Sequence, residues 1–373
     1  MHHRLRVIIF FLLIFGLFFF LGRAGLPLAH EWLDPVAMRD AGTMLPYLAF
    51  RPDALRSLVL ASLQHVEGPL QYIILNLYCL AIGDKFPLNP STMQFPNIIF
   101  AFVASLFAFL ICKKLFSVRM AFYCAAVFAL FPWLAHTIRL SEYWNTLSCI
   151  LHFSTFYFFA CFMKEPDSLF HKIAAPTSLM LYVLVFMDWP MYIFCLLVFF
   201  FLSGRLGALL RNPYNAIPTI VILFLIAWTV ALTIKFGEYG LRSSRLVYPF
   251  CRFGAETSRF TMERLWAHTL LPWGPQLLLA FGGLVAYALH YRKQFATERV
   301  GRSLLDSMSI WLVLGTPPLM MSSGSPQYLY VLAMPTAILA AFALSTIRVS
   351  YGLAIIVIMA LAQFYFITDG NFR

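Results

Sequence analysis

Apolar residues fill this chain in long, nearly unbroken stretches, separated by short clusters of charge. Runs long enough to cross a bilayer, or nearly so, lie at 7–22, 95–112, 120–136, 144–163, 173–187, 190–204, 216–235, 270–290, 304–321, 327–346 and 350–367. None shows the apolar/polar alternation of a barrel strand, so each predicts a helix. The expected fold is an all-α polytopic membrane bundle of about eleven transmembrane helices.

One shorter run, "GPLQYIILNLYCLAIG" at 68–83, is decided by charge. If it stays at the membrane surface, the loops at 113–119, 164–172, 204–211 and 291–302 and Arg348 share one side with Arg4 and Arg6. If it crosses, all of these basic loops turn outward, against the positive-inside bias. The surface reading is preferred, as an amphipathic interfacial helix beside a second one at about 35–50. The expected layout is one membrane domain over 1–373. It has a signal-anchor span (1–22), an extracytoplasmic loop with interfacial helices (23–94), central spans (95–235), a second outer loop (236–269) and C-terminal spans (270–367).

Composition agrees with this picture. The chain has 373 residues, 61% hydrophobic and 12% charged, and a mean hydropathy of +0.79. A soluble domain of that length has no way to bury so much apolar surface. The net charge of +11 would point to nucleic acid in a soluble protein. In a membrane protein it reads as cytoplasmic Lys and Arg facing anionic lipid, and no nucleic-acid partner is expected. Basic Arg4 and Arg6 ahead of an apolar core, without a small-x-small cleavage site, predict an uncleaved anchor with a cytoplasmic N-terminus, in a cell inner membrane. The seven cysteines show no CxxC spacing. Five of them, Cys112, Cys124, Cys149, Cys161 and Cys195, lie in apolar runs and read as small hydrophobes.

The candidate chemistry gathers on the outer face. Three of the chain's 16 acidic residues, Glu31, Asp34 and Asp40, stand in "LAHEWLDPVAMRDAG" just beyond the first span. Asp34 followed by Pro35 also fits a helix N-cap, with the other two acids solvated. A carboxylate buried against a membrane cavity would instead serve as general base towards a hydroxyl or amine. A second cluster, "HTIRLSEYWNT", carries His136, Arg139 and Glu142. Arg139 and Glu142 are spaced to pair with each other, but also suit a phosphate oxygen and a divalent metal. The loop 236–269 holds Arg242, Arg245, Arg252, Arg259 and Arg264, against the positive-inside trend. A long loop translocates regardless of charge, and Arg forks also hold anionic ligands such as a lipid-linked phosphate. Asp188 in "FMDWP" either caps the next helix or belongs to a site, and Tyr328 and Tyr330 face the same side.

No Walker A loop, GxSxG or HExxH is present. Acids and bases in mid-span read as nearly absent, which disfavours an ion-coupled transporter. Ionisable residues on one membrane face suit an enzyme acting on a lipid-embedded substrate.

The order of these features resembles the polytopic GT-C glycosyltransferases, which include the protein O-mannosyltransferases and the lipid A aminoarabinose transferases. The resemblance is carried by "HEWLD" after the first span, by "HVEGPLQYIILNLYCLAIG" from His65, by "FAFLICKKLFSVRMAFYCAAVFALFPWLAHTIRLSEY" (107–143) and by "SPQYLYVLAMPTAILAAFAL" (325–344). It departs from the family at Asn97, where an Arg usually opens the second span. It departs again at Gln327-Tyr328, where an Arg-Tyr pair is common, and at "HEWLD", where the family has Asp-Glu.

The resemblance implies transfer of a sugar, with inversion, from a polyprenyl-phosphate donor to a lipid, glycan or protein acceptor on the extracytoplasmic face. By position the base is Asp34 or Glu31. The donor phosphate falls to Arg139, Arg242, Arg245, Arg252 and Tyr328, and a divalent metal cofactor to Glu142 and His136. Asp40, His65 and Asp188 remain further candidates. The rival readings are a non-catalytic membrane subunit that binds a protein partner on the same scaffold, and after it a transporter or flippase.

Overall fold

The computed structural model describes residues 2–24, 90–139, 143–185, 189–236, 273–291, 298–321 and 330–368, and among these regular structure is helical throughout. In chain order the helices are α1 (His2–Ala24), α2 (Pro90–Leu115), α3 (Val118–Ala129), α4 (Pro132–Arg139), α5 (Tyr143–Lys164), α6 (Leu169–Val185) and α7 (Trp189–Ser203). They continue with α8 (Leu206–Arg211), α9 (Ala216–Phe236), α10 (Pro275–Ala286), α11 (Arg299–Met321), α12 (Ala333–Thr346) and α13 (Val349–Thr368). Each of the eleven apolar runs holds helix at its described residues. Among the described residues three helices are long and apolar enough to cross a membrane on length and composition: Arg4–Arg23, Phe95–Leu115 and Asn145–Lys164. Seven shorter apolar helices of the described residues lie among the remaining runs. Apolar side chains also cover the outside of the bundle, with Leu13 on α1, Ile234 on α9 and Leu361 on α13 all more than 60% exposed. Lipid is the solvent that such a surface matches.

The run 120–136 is two helices rather than one. Pro132 has no N–H to continue α3 and restricts Phe131 before it, so the helix stops at Ala129 and α4 restarts with proline in its first turn. The carbonyls near the break are met by two buried glutamines. Gln276 Nε2 donates to Leu130 O at 2.6 Å, and Gln363 Nε2 to Ala129 O and Phe131 O at 3.1 and 3.2 Å. A broken helix is tolerated in a membrane when neighbours re-satisfy its backbone in this way.

α12 is the central helix, with eleven of its fourteen residues buried. Alanines at 333, 337, 340 and 341 keep its surface low. α10 comes close enough that a Cβ on Gly283 would strike the Leu339 carbonyl.

Polar contacts stitch the basic turns together at one end of the bundle. Lys114 Nζ pairs with Glu165 at 2.6 Å, and Lys164 Nζ donates to Lys114 O at 2.8 Å. Arg119 donates to the carbonyls of Leu344 and Ile347 at the end of α12. Asn212 Nδ2 donates to Lys172 O at 2.9 Å. α1 runs antiparallel to α2, with Phe11 against Phe109 and Gly22 against Ile98, which brings Arg4 and Arg6 to the same end. Outside the spans, Glu165 titrates below the ordinary carboxylate range because Lys114 donates to it, helped by His171 3.5 Å away.

Candidate functional site

The opposite end of the bundle is built on α2, α4, α5 and α13. Thr146 Oγ1 donates to Asn97 Oδ1 at 2.8 Å, and Asn97 Nδ2 reaches the carbonyl of Thr137 at 3.5 Å. Asn97, Thr137, Asn145 and Thr146 are all buried. These bonds tie α2 to both helices that flank residues 140–142. Asn97, which stands where the resembled family commonly has an Arg, therefore acts as an internal bracket.

Deeper in the bundle lies an ionisable residue that the hydropathy reading passed over. His152 sits nine residues into α5, roughly 14 Å from its start at 1.5 Å per residue, and is fully buried. Its Nε2 is 3.0 Å from Tyr182 Oη. Its ring stacks on Tyr192 (5.0 Å, 23°) and on Tyr330 (6.3 Å, 20°), and meets the edge of Trp311 at 5.3 Å and 89°. Tyr192 Oη donates to the His152 carbonyl at 3.2 Å. One imidazole thus joins α5, α6, α7, α11 and the turn leading into α12. A buried histidine boxed by aromatic faces is well placed to hold those five elements in register.

Among the predicted site residues, the structure places two on a described backbone. His136 and Arg139 lie three apart on α4, and Arg139 is its last residue. Their side chains lie outside the described positions. Glu31, Asp34, Asp40, His65, Glu142, Asp188, Arg242, Arg245, Arg252 and Tyr328 lie outside the described residues altogether. Tyr330, two positions beyond Tyr328 in the chain, packs on His152. Among the described residues no three His, Cys, Asp or Glu side chains converge as a metal site. The five apolar-run cysteines are all buried.

No protein-family model matches the sequence, and no curated protein does either. Solved structures do match. ArnT from Cupriavidus metallidurans bound to undecaprenyl phosphate superposes with a TM-score of 0.53 at 15% identity, over 79% of this chain and 53% of that one. The fold is GT-C-like.

The same GT-C-like bundle matches the Archaeoglobus fulgidus oligosaccharyltransferase in complex with zinc and sulfate, with a TM-score of 0.51 at 16% identity over 82% of this chain and 44% of that one. It also matches the oligosaccharyltransferase AglB of that organism in complex with an inhibitory peptide and a dolichol-phosphate. There the TM-score is 0.50 at 14% identity, over 82% and 47%. The chain spans about half the length of the structures it matches. The likeness covers the helical bundle and gives the His152 box and the Asn97 bracket a setting, in a fold shared with membrane glycosyltransferases.

Proposed function

We propose that the protein is an integral membrane glycosyltransferase that moves a sugar from a polyprenyl-phosphate-linked donor to a lipid, glycan or protein acceptor. The observation that carries this reading is the shared fold, above all with ArnT bound to undecaprenyl phosphate. In this reading the chain crosses a cell inner membrane about eleven times. The stitched basic end and the N-terminus are cytoplasmic, as the positive-inside rule requires, and the Asn97 end is extracytoplasmic.

The chemistry needs a base and an anion clamp. Asp34, or Glu31 in its place, takes the proton from the acceptor hydroxyl or amine as that atom attacks the anomeric carbon. The bond to the phosphate oxygen breaks, the carrier leaves as polyprenyl phosphate, and the configuration inverts. Arg139, Arg242, Arg245 and Arg252, with Tyr328, hold the phosphate as negative charge develops on it. Glu142 and His136 are the residues that would hold a divalent cation. Asp40 and His65 share the first outer loop with the base, and Asp188 belongs to a short outer loop of its own.

The test is sugar transfer from a polyprenyl-phosphate donor by the full chain, compared with Asp34→Asn, Glu31→Gln and the double variant. Loss of transfer in at least the double variant, with folding intact, supports the reading. Full activity in all three removes the proposed base.

A second reading is favoured by one observation: Asn97, where the resembled family commonly has an Arg, is engaged internally. In it, the scaffold is a non-catalytic subunit that binds a lipid-linked sugar or a protein partner. Donor binding without turnover, in the presence of a competent acceptor, is its signature.

A further inference from the structure

A cleft of about 570 Å³ opens at the basic end, between the end of α5, the α7–α8 turn and the first turn of α11. Lys164, Arg205 and Arg299 line it, and among the described residues Glu298 is its one carboxylate. No ion pair among the described residues joins Glu298 to any of the three cations. Two positive charges are therefore in excess. Glu165, next to Lys164 in the chain, is engaged by Lys114.

The backbone holds this arrangement in place. Gly204 has φ +69°. Its N–H donates to Phe201 O and the Arg205 N–H to Phe200 O, at 3.0 and 3.2 Å. That pair of bonds is the Schellman ending of a helix. It turns the chain sharply at the left-handed Gly204 and sets Arg205 at the cleft mouth, beside Arg299, whose guanidinium is 3.7 Å from where a Cβ on Gly204 would stand. On the facing wall, the first N–H groups of α11 at Arg299, Val300 and Gly301 have no partner within their own helix and carry its positive dipole end.

The helices on either side of the Gly204 turn carry bare apolar side chains: Phe201 on α7 is 71% exposed and Leu202 40%, and Leu210 on α8 is 77% exposed. A cationic cleft at the end of a membrane bundle, whose own wall segments run into exposed apolar residues in the chain, suits an amphiphilic anion. We infer that this cleft binds the phosphate-bearing headgroup of an anionic membrane phospholipid, with its acyl chains lying along α7. The inference rests on the membrane reading and not on the transferase reading, because the cleft lies at the end of the bundle opposite Asn97.

The experiment uses the purified full chain, equilibrated with equimolar phosphatidylglycerol and phosphatidylcholine, and reads the lipids retained by native mass spectrometry. Wild-type protein should prefer phosphatidylglycerol, and Arg205→Gln and Arg299→Gln should each lower that preference about fivefold. Glu298→Gln should raise it, which keeps the test decisive if an arginine variant folds poorly. Millimolar inorganic phosphate should leave the lipid bound. Equal retention of the two lipids by wild type, or a preference that survives both arginine substitutions, overturns the site. Displacement of the lipid by inorganic phosphate assigns the cleft to a free anion and overturns the lipid headgroup.

Discussion

His152 Nε2 and Tyr182 Oη lie 3.0 Å apart in the buried centre of the bundle, linking α5 to α6 across 30 positions of sequence. Tyr182→Phe removes the hydroxyl and leaves the imidazole nitrogen without that bond. A loss of about 1–3 kcal/mol is expected, as for other unsatisfied buried polar groups. Thermal or denaturant unfolding in detergent measures it. In a double-mutant cycle with His152→Phe, the two substitutions should be clearly non-additive.

The bracket between Asn97 and Thr146 makes a parallel prediction. Thr146→Val keeps the side-chain shape but strands Asn97 Oδ1, and should destabilise the protein by about 1–3 kcal/mol. Asn97→Leu with Thr146→Val removes both partners and should recover part of that loss.

Two adjacent glycines on α10 should behave oppositely. A Cβ at Gly283 meets the Leu339 carbonyl of α12, whereas one at Gly282 meets nothing within 4 Å. Gly283→Ala is expected to cost about 1–3 kcal/mol or to reduce the folded yield, since packed backbone has nowhere to move. Gly282→Ala should be neutral or stabilising by about 0.5–1 kcal/mol through helix propensity. Unfolding midpoints of the two variants, measured side by side, check both statements.

Glu165 gives a pH signature. Its folded-state acidity is strengthened by the Lys114 hydrogen bond, so its carboxylate form is favoured on folding. The contribution is fully present above the ordinary glutamate range and is lost as pH falls through the depressed folded value. It is small, because the pair faces solvent. A carbon-13 titration of Glu165 should show a midpoint below the usual carboxylate value, and Lys114→Met should move it back up.

The helices were legible in the sequence because continuous apolar runs leave the backbone only one way to satisfy itself in lipid. Their subdivision was less so. The run 120–136 gives no apolar signal at Pro132, yet the missing N–H there splits it into α3 and α4, and the repair comes from Gln276 and Gln363, far away in sequence. The run 327–346 begins α12 only at Ala333. His152 escaped notice because a single histidine barely lowers the hydropathy of α5. Its partners at 182, 192, 311 and 330 are aromatic residues that only folding brings together. Asn97 read as the replacement for an Arg, and its bond to Thr146 across 49 positions could not be seen before the helices were packed. The acids at 31, 34 and 40 and the arginines at 242, 245 and 252 lie outside the described residues, so their role remains the proposal that the resemblance supports.

The most direct test of the central claim, a lipid-linked donor held at the Asn97 end, is an experimental structure of the full chain with bound polyprenyl phosphate. Phosphate density is expected at the extracytoplasmic end, within reach of Arg139 and of Arg242, Arg245 or Arg252, with Asp34 or Glu31 facing the same cavity. Phosphate density confined to the cleft of Lys164, Arg205 and Arg299, or an outer end closed by apolar packing with the acids turned to bulk solvent, would contradict it.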